Sequence, residues 1–115
     1  TLTLLGNSTV NGTGTLTLSN TITDGAGTFG LTKSGTSTLI ISNASTYDGA
    51  TNVSGGILRM MNAASIGTGA ATVNSATLQF GQSLGSAVTN NFTLTSGTLQ
   101  DVATSATNTV SGTIS

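Results

Sequence analysis

The sequence predicts an all-β chain wound as a parallel β-solenoid, and three observations lead there: its composition, a recurrence of short apolar strands, and the overlay of consecutive recurrences. The chain has 115 residues, 36% hydrophobic, 4% charged and 3% aromatic, with no Pro, Cys, His or Trp. An ordinary globular chain carries about 25% charged residues, so this one must meet water with hydroxyls and amides. It holds 25 Thr, 15 Ser, 10 Asn and 16 Gly. β-branched Thr disfavours helix, Gly and Asn supply turns, and the strong helix formers Glu, Lys and Gln are scarce.

The same numbers exclude several classes. Disorder goes with low hydrophobicity, high charge and Pro, whereas mean hydropathy here is +0.25 and Pro is absent. A net charge of −1 offers no electrostatic footprint for nucleic acid and no basic patch for an anionic membrane. No run approaches the apolar length of a spanning helix, so direct membrane insertion is not expected. Thr1-Leu-Thr-Leu-Leu5 lacks the charged start and long apolar run of a signal peptide, which places any targeting signal outside these residues. Without Cys there is no disulfide scaffold and no thiolate metal site.

In chain order, the strand candidates are Thr1 to Leu5, Thr15 to Leu18, Thr38 to Ile41, Ile57 to Met60, Thr77 to Phe80, Phe92 to Leu94, Thr98 to Gln100 and Val110 to Ile114. Each is bounded by Gly, Asn or Ser. The series starting at Thr15, Thr38, Ile57, Thr77 and Thr98 recurs every 19 to 23 residues, a period at which stacked repeats are the first reading. At about 20 residues per coil the chain makes five to six coils and roughly 25 to 30 Å of rod.

Three units overlay without gaps: Val53-Ser-Gly-Gly-Ile-Leu58, Val73-Asn-Ser-Ala-Thr-Leu78 and Leu94-Thr-Ser-Gly-Thr-Leu99. In a parallel solenoid this predicts two interior ladders, Val53 with Val73 and Leu94, and Leu58 with Leu78 and Leu99. Gly55-Gly56, Ser75-Ala76 and Ser96-Gly97 are then the corners, where small residues suit a sharp turn and Gly takes positive φ. Residues 93–115 echo 1–23 at an offset of about 92, because Thr1-Leu-Thr3 matches Thr93-Leu-Thr95 and Thr17 to Thr23 matches Thr109 to Ser115. The expectation is a single solenoid segment over residues 1–115, uncapped at both ends. Such ends invite head-to-tail self-association or flanking repeats of the same array.

From Gly30 to Met60 the sequence carries Leu31-Thr-Lys33, Gly35, Thr38-Leu39, Thr46-Tyr47, Gly49, Thr51, Val53, and Gly56 with Leu58. This pattern closely resembles the passenger-associated repeat of bacterial autotransporters. Asn62-Ala-Ala-Ser-Ile-Gly-Thr-Gly69 and Ala76-Thr-Leu-Gln-Phe80 resemble its continuation, and Val110 to Ser115 the lead-in to another copy. Ser37 stands where the family usually has Gly, and Ala50 where a second Gly or similar small residue is common. The resemblance implies a right-handed parallel β-helix displayed outside a bacterium as a stalk for adhesion or aggregation, with no catalytic residues and no cofactor.

The titratable groups are Asp24, Asp48, Asp101, Lys33, Arg59 and Tyr47. Glycoside hydrolysis needs two acids about 5 to 9.5 Å apart; these are far apart in sequence, and Asp24 and Asp48 each precede Gly as solvated turn residues do. Lys33 and Arg59 are expected at the surface, pairing weakly with Asp48 or Asp24 across coils. Tyr47 is expected to pack over a corner. Asp24-Gly-Ala-Gly27 hints at calcium only faintly, being a single stretch, and Gly25-Ala-Gly-Thr-Phe-Gly30 lacks the βαβ unit of a dinucleotide site. Asn-X-Ser/Thr sequons at Asn7, Asn11, Asn43, Asn52 and Asn91 follow from composition. The expected function is a structural segment of an extracellular fibre or adhesin stalk; the alternatives are a surface glycan or cell-binding module and a Thr-rich ice-binding solenoid.

Overall fold

Each run of β-branched and apolar residues in this chain is stopped by Gly, Ser or Asn after two to four positions, so its strands are short and stability must come from stacking them. The computed structural model describes residues 1–104 and 107–115. Among these, every strand pairs parallel to its neighbours, with in-register partners 19 to 23 residues apart. One five-stranded sheet is made of β3 (Thr15–Leu18), β6 (Thr38–Ile41), β8 (Ile57–Met60), β10 (Thr77–Phe80) and β12 (Thr98–Asp101), in that spatial order. A second is made of β2 (Ser8–Val10), β5 (Leu31–Lys33), β7 (Thr51–Val53), β9 (Ala71–Asn74) and β11 (Phe92–Thr95).

A less regular side precedes each second-sheet strand and is the first side of a coil, so the sheet of β2, β5, β7, β9 and β11 is the second side and the sheet of β3, β6, β8, β10 and β12 the third. It opens with β1 (Leu2–Thr3) paired to β4 (Ile22–Thr23). It continues through Thr46 N–H to Ile22 C=O at 2.8 Å, Ser45 N–H to Ala64 C=O at 2.9 Å and Thr68 N–H to Tyr47 C=O at 3.2 Å, and reaches a bridge between Val88 and Val110. The chain thus visits three sides per coil. Two sheets of five strands make five complete coils, and Val110 and Ile114 begin a sixth, bridged to Val88 and Phe92. The fold is a parallel β-solenoid measuring 36 × 27 × 26 Å.

Inside, the period-2 alternation of a strand becomes vertical ladders. Leu39, Leu58 and Leu78 stack in one, Ile41, Met60 and Phe80 in the next, all buried. Burying one such side chain contributes about 1.5–3 kcal/mol, and each coil supplies several, so added coils add stability roughly in sequence.

The structure departs from the sequence expectation in three places. Strands β2, β5, β7 and β9 of the second side were not expected as strands. Their inward positions hold Lys33, Thr51 and Ala71 among the apolar residues, so alternation of apolar and polar residues is masked. Val110 to Ile114, expected as one strand, instead turns a corner: Val110 bridges on the first side and Ile114 on the second. The echo of residues 1–23 in 93–115 therefore joins positions on different sides, because Ile22 stands with Leu2 on the first side while its sequence counterpart Ile114 stands on the second.

Candidate functional site

What this architecture can do resides in the contacts that join one coil to the next, beginning with the expected interior ladders. Val53, Val73 and Leu94 stand in register, as do Leu58, Leu78 and Leu99. Val53, Val73, Leu58 and Leu78 are fully buried. Leu94 and Leu99 are half-buried, because they belong to β11 and β12 at the sheet edges.

The corners between the second and third sides use two different devices. Gly56 takes φ of 63°, the left-handed region where a Cβ is costly. At the equivalent corners this conformation falls to Ser75 and Ser96, with φ of 52° and 54°. Gly97 does not need positive φ; it is required because a Cβ there would collide with the Val73 carbonyl of the coil below.

Lys33 is a correction to the sequence expectation. It is fully buried rather than paired at the surface, sitting in the ladder between Val10 and Val53. Its Nζ turns into the corner and donates to the carbonyls of Ser34 at 2.9 Å, Gly35 at 3.3 Å and Gly55 at 3.1 Å. An ammonium has three N–H donors, and all three are occupied, with one reaching the next coil. Burial draws its pKa below the ordinary lysine value. Arg59 likewise meets no acid among the described residues: its Nε donates to Gln79 Oε1 at 2.9 Å, and Gln79 Nε2 donates to Gln100 Oε1 at 2.8 Å, a hydrogen-bonded ladder up the outside of the third side.

The two aspartates expected in solvated turns are brought together. Asp24 is buried, and its Oδ2 accepts the backbone N–H of Phe29 and of Asp48, both at 3.1 Å. Those bonds, Asp48's first, hold its carboxyl below the usual range. Asp48 is exposed, and its hydrogen bond to the Asp24 carboxyl, helped by burial and the neighbouring charge, raises its pKa. Their geometry fits a joint between coils. Asp101 also organises its own loop, accepting from Ala103 N at 3.0 Å and Asn108 Nδ2 at 3.1 Å.

Tyr47 is fully buried, its hydroxyl 2.7 Å from Thr51 Oγ1, and burial pushes its pKa up to about 12. The most regular polar row is Thr9, Thr32, Asn52, Thr72 and Thr93 on the second side, four hydroxyls interrupted by one amide. The outward row of the third side is mixed, made of Thr17, Ile40, Arg59, Gln79 and Gln100. No group of three or more acidic, His or Cys side chains able to hold a metal occurs among the described residues.

Comparisons with known proteins point to the same coils. Residues 31–60, which run from β5 to the end of β8, match the family model of the passenger-associated-transport-repeat. Over 56 residues, 49% of this chain, the sequence is 45% identical to the Adhesin BmaC autotransporter of Brucella suis biovar 1 (strain 1330). The matched stretch spans 2% of that adhesin's length. No solved structure matches the chain. The matched stretch carries Lys33 with its carbonyl cage, the buried Tyr47 and the Gly56 corner, so residues 31–60 of this solenoid are similar to a passenger-associated-transport-repeat.

Proposed function

We propose that this chain is a load-bearing segment of an extracellular bacterial adhesin stalk or fibre, built up by coil-on-coil β-stacking and performing no reaction of its own. The observation that carries the reading is the unbroken parallel register through five coils, with a passenger repeat at its centre. The similarity to a stretch of an adhesin autotransporter supports display at the cell surface or beyond it. A scaffold role is supported by how the polar groups are spent: Asp24, Lys33 and the Arg59–Gln79–Gln100 row all serve to join neighbouring coils. The partners this reading calls for are further repeats of the same array, or copies of the chain meeting end to end through exposed strand edges.

Duplicating residues 51–70 in place tests it, since Thr51 and Ala71 are register partners and an inserted copy would add one coil. The expected product folds, is longer by about 4.8 Å in solution scattering, and melts no lower than the parent. Loss of cooperative folding would show that the coils are not interchangeable units and would sink the reading.

A further inference from the structure

We propose that a groove on the second side, spanning the coils of β5 and β7, binds a neutral sugar residue of a glycan. Its floor is small by necessity. Gly30 and Ala50 lie in register, with Leu31 N–H donating to the Ala50 carbonyl at 3.0 Å, and a Cβ on Gly30 would collide with that same carbonyl oxygen. The hollow so formed has a volume of about 350 Å³ and is walled by Asn7, Thr28, Thr32 and Asn52, at the low end of the ~300–1,000 Å³ range of small-ligand clefts.

The walls carry unspent hydrogen-bonding groups. Asn7 Oδ1 accepts Gly30 N–H at 2.9 Å, which fixes the amide and leaves its NH₂ facing outward. Among the described residues, the side chains of Thr32 and Asn52 make no bond within the protein, although Asn62, Asn91 and Asn108 elsewhere do. At the groove's edge stands the Asp48 carboxylate, on a residue that Asp24 ties down through the Asp48 N–H. The set is two amides, two hydroxyls and a carboxylate with spare lone pairs, the donors and acceptors that adjacent sugar hydroxyls match.

Charge selects the sugar. Asp24 and Asp48 make this end of the face negative, Lys33 is enclosed in its corner and Arg59 is engaged by Gln79 on another side. Acidic sugars are therefore repelled and neutral ones accepted. The walls contain no aromatic ring, so affinity is in the millimolar range and gains strength only where many coils act together.

The test is an amide NMR titration of the 115-residue chain with the methyl glycosides of glucose, galactose and N-acetylglucosamine, with methyl glucuronide as the acidic control. Expected are shifts confined to Gly30, Thr32, Gly49, Ala50 and Asn52 with at least one neutral glycoside, and none with the glucuronide. Ala50→Tyr, which fills the groove from an exposed position, should abolish them. Thr32→Val, which keeps the shape and removes the hydroxyl, should weaken binding several-fold, and carries the test if the tyrosine variant fails to fold. Absence of shifts with all three neutral glycosides, equal shifts with the glucuronide, or shifts that survive in the variants would overturn the proposal.

Discussion

Asp24 and Asp48 stand on neighbouring coils with the Asp24 carboxylate accepting the backbone N–H of Asp48 at 3.1 Å, so one acid is spent on holding the other in place. Their pKa values are driven apart, Asp24 down by the N–H bonds of Asp48 and Phe29, Asp48 up by the Asp24 carboxyl. The signs oppose. Asp24 contributes stability that is present above its unfolded pKa and lost as pH falls through its lowered one. Asp48 contributes stability that is present below its unfolded pKa and lost as pH rises through its raised one. Asp48→Asn removes the like charge while keeping the backbone N–H. It is expected to raise the melting temperature at neutral pH, with the gain shrinking in acid as Asp48 of the parent becomes protonated. Melting curves across the acid range check this; a gain that is independent of pH would contradict it.

Tyr47 predicts the alkaline limit of the fold. Its pKa is raised from 10.0 to about 12 by burial, against a smaller lowering by the Thr51 hydroxyl. A raised acid stabilises the folded state fully below the unfolded pKa and progressively less as pH climbs to the folded one. Between pH 10 and about 12 the phenolate should therefore appear together with unfolding. Phenolate absorbance and far-UV circular dichroism recorded in one titration should coincide, and Tyr47→Phe, which removes the single tyrosine, should abolish the absorbance change and move unfolding to higher pH, at a cost of about 0.5–1.5 kcal/mol at neutral pH for the lost hydrogen bond.

Ser75 and Ser96 sit at φ of 52° and 54°, where a side chain costs roughly 1–2 kcal/mol relative to the right-handed region. Gly56 holds the corresponding corner one coil earlier without that cost. Ser75→Gly and Ser96→Gly are each expected to stabilise the chain by about 0.5–1 kcal/mol, the relief of strain being offset in part by the extra backbone entropy of Gly. Denaturant unfolding of the single and double variants checks both values. Departure from additivity is expected in the double variant, because Ser75 N–H donates to the Thr95 carbonyl at 3.0 Å, in the peptide that leads into Ser96.

The third side was legible because its strands place two apolar residues inward on a regular period, as Leu39 and Ile41, Leu58 and Met60, and Leu78 and Phe80 do. The second side was legible only at Val53, Val73 and the strand from Phe92 to Leu94, since Thr51 and Lys33 occupy inward positions that a reading by hydropathy assigns to solvent. Thr51 is admitted by the Tyr47 hydroxyl, a partner that folding alone supplies. The acid pair was hidden for another reason: its members are a whole coil apart, and the longer loop after Asp24 must fold back before Phe29 N–H and Asp48 N–H converge on one oxygen. Pairing between coils sets these contacts, and local spacing carries no trace of them.

Lys33 gives the sharpest test of how the corners are held. Its ammonium donates to carbonyls of Ser34, Gly35 and Gly55, so removing it leaves buried acceptors on two coils without a donor. Lys33→Met preserves most of the stem volume and is expected to cost about 1–3 kcal/mol from those unsatisfied carbonyls. Lys33→Ala adds a cavity, and its expected cost is about 2–5 kcal/mol. Hydrogen exchange should quicken at Gly56 and Ile57, beyond the corner carbonyl that Lys33 holds. Salt separates this account from a surface ion pair. A surface pair is screened at high ionic strength, whereas an ammonium enclosed by backbone carbonyls is not. The difference between parent and Lys33→Met should therefore stay constant from low to high salt; a difference that vanishes at high salt would show that Lys33 acts through an exposed acid after all.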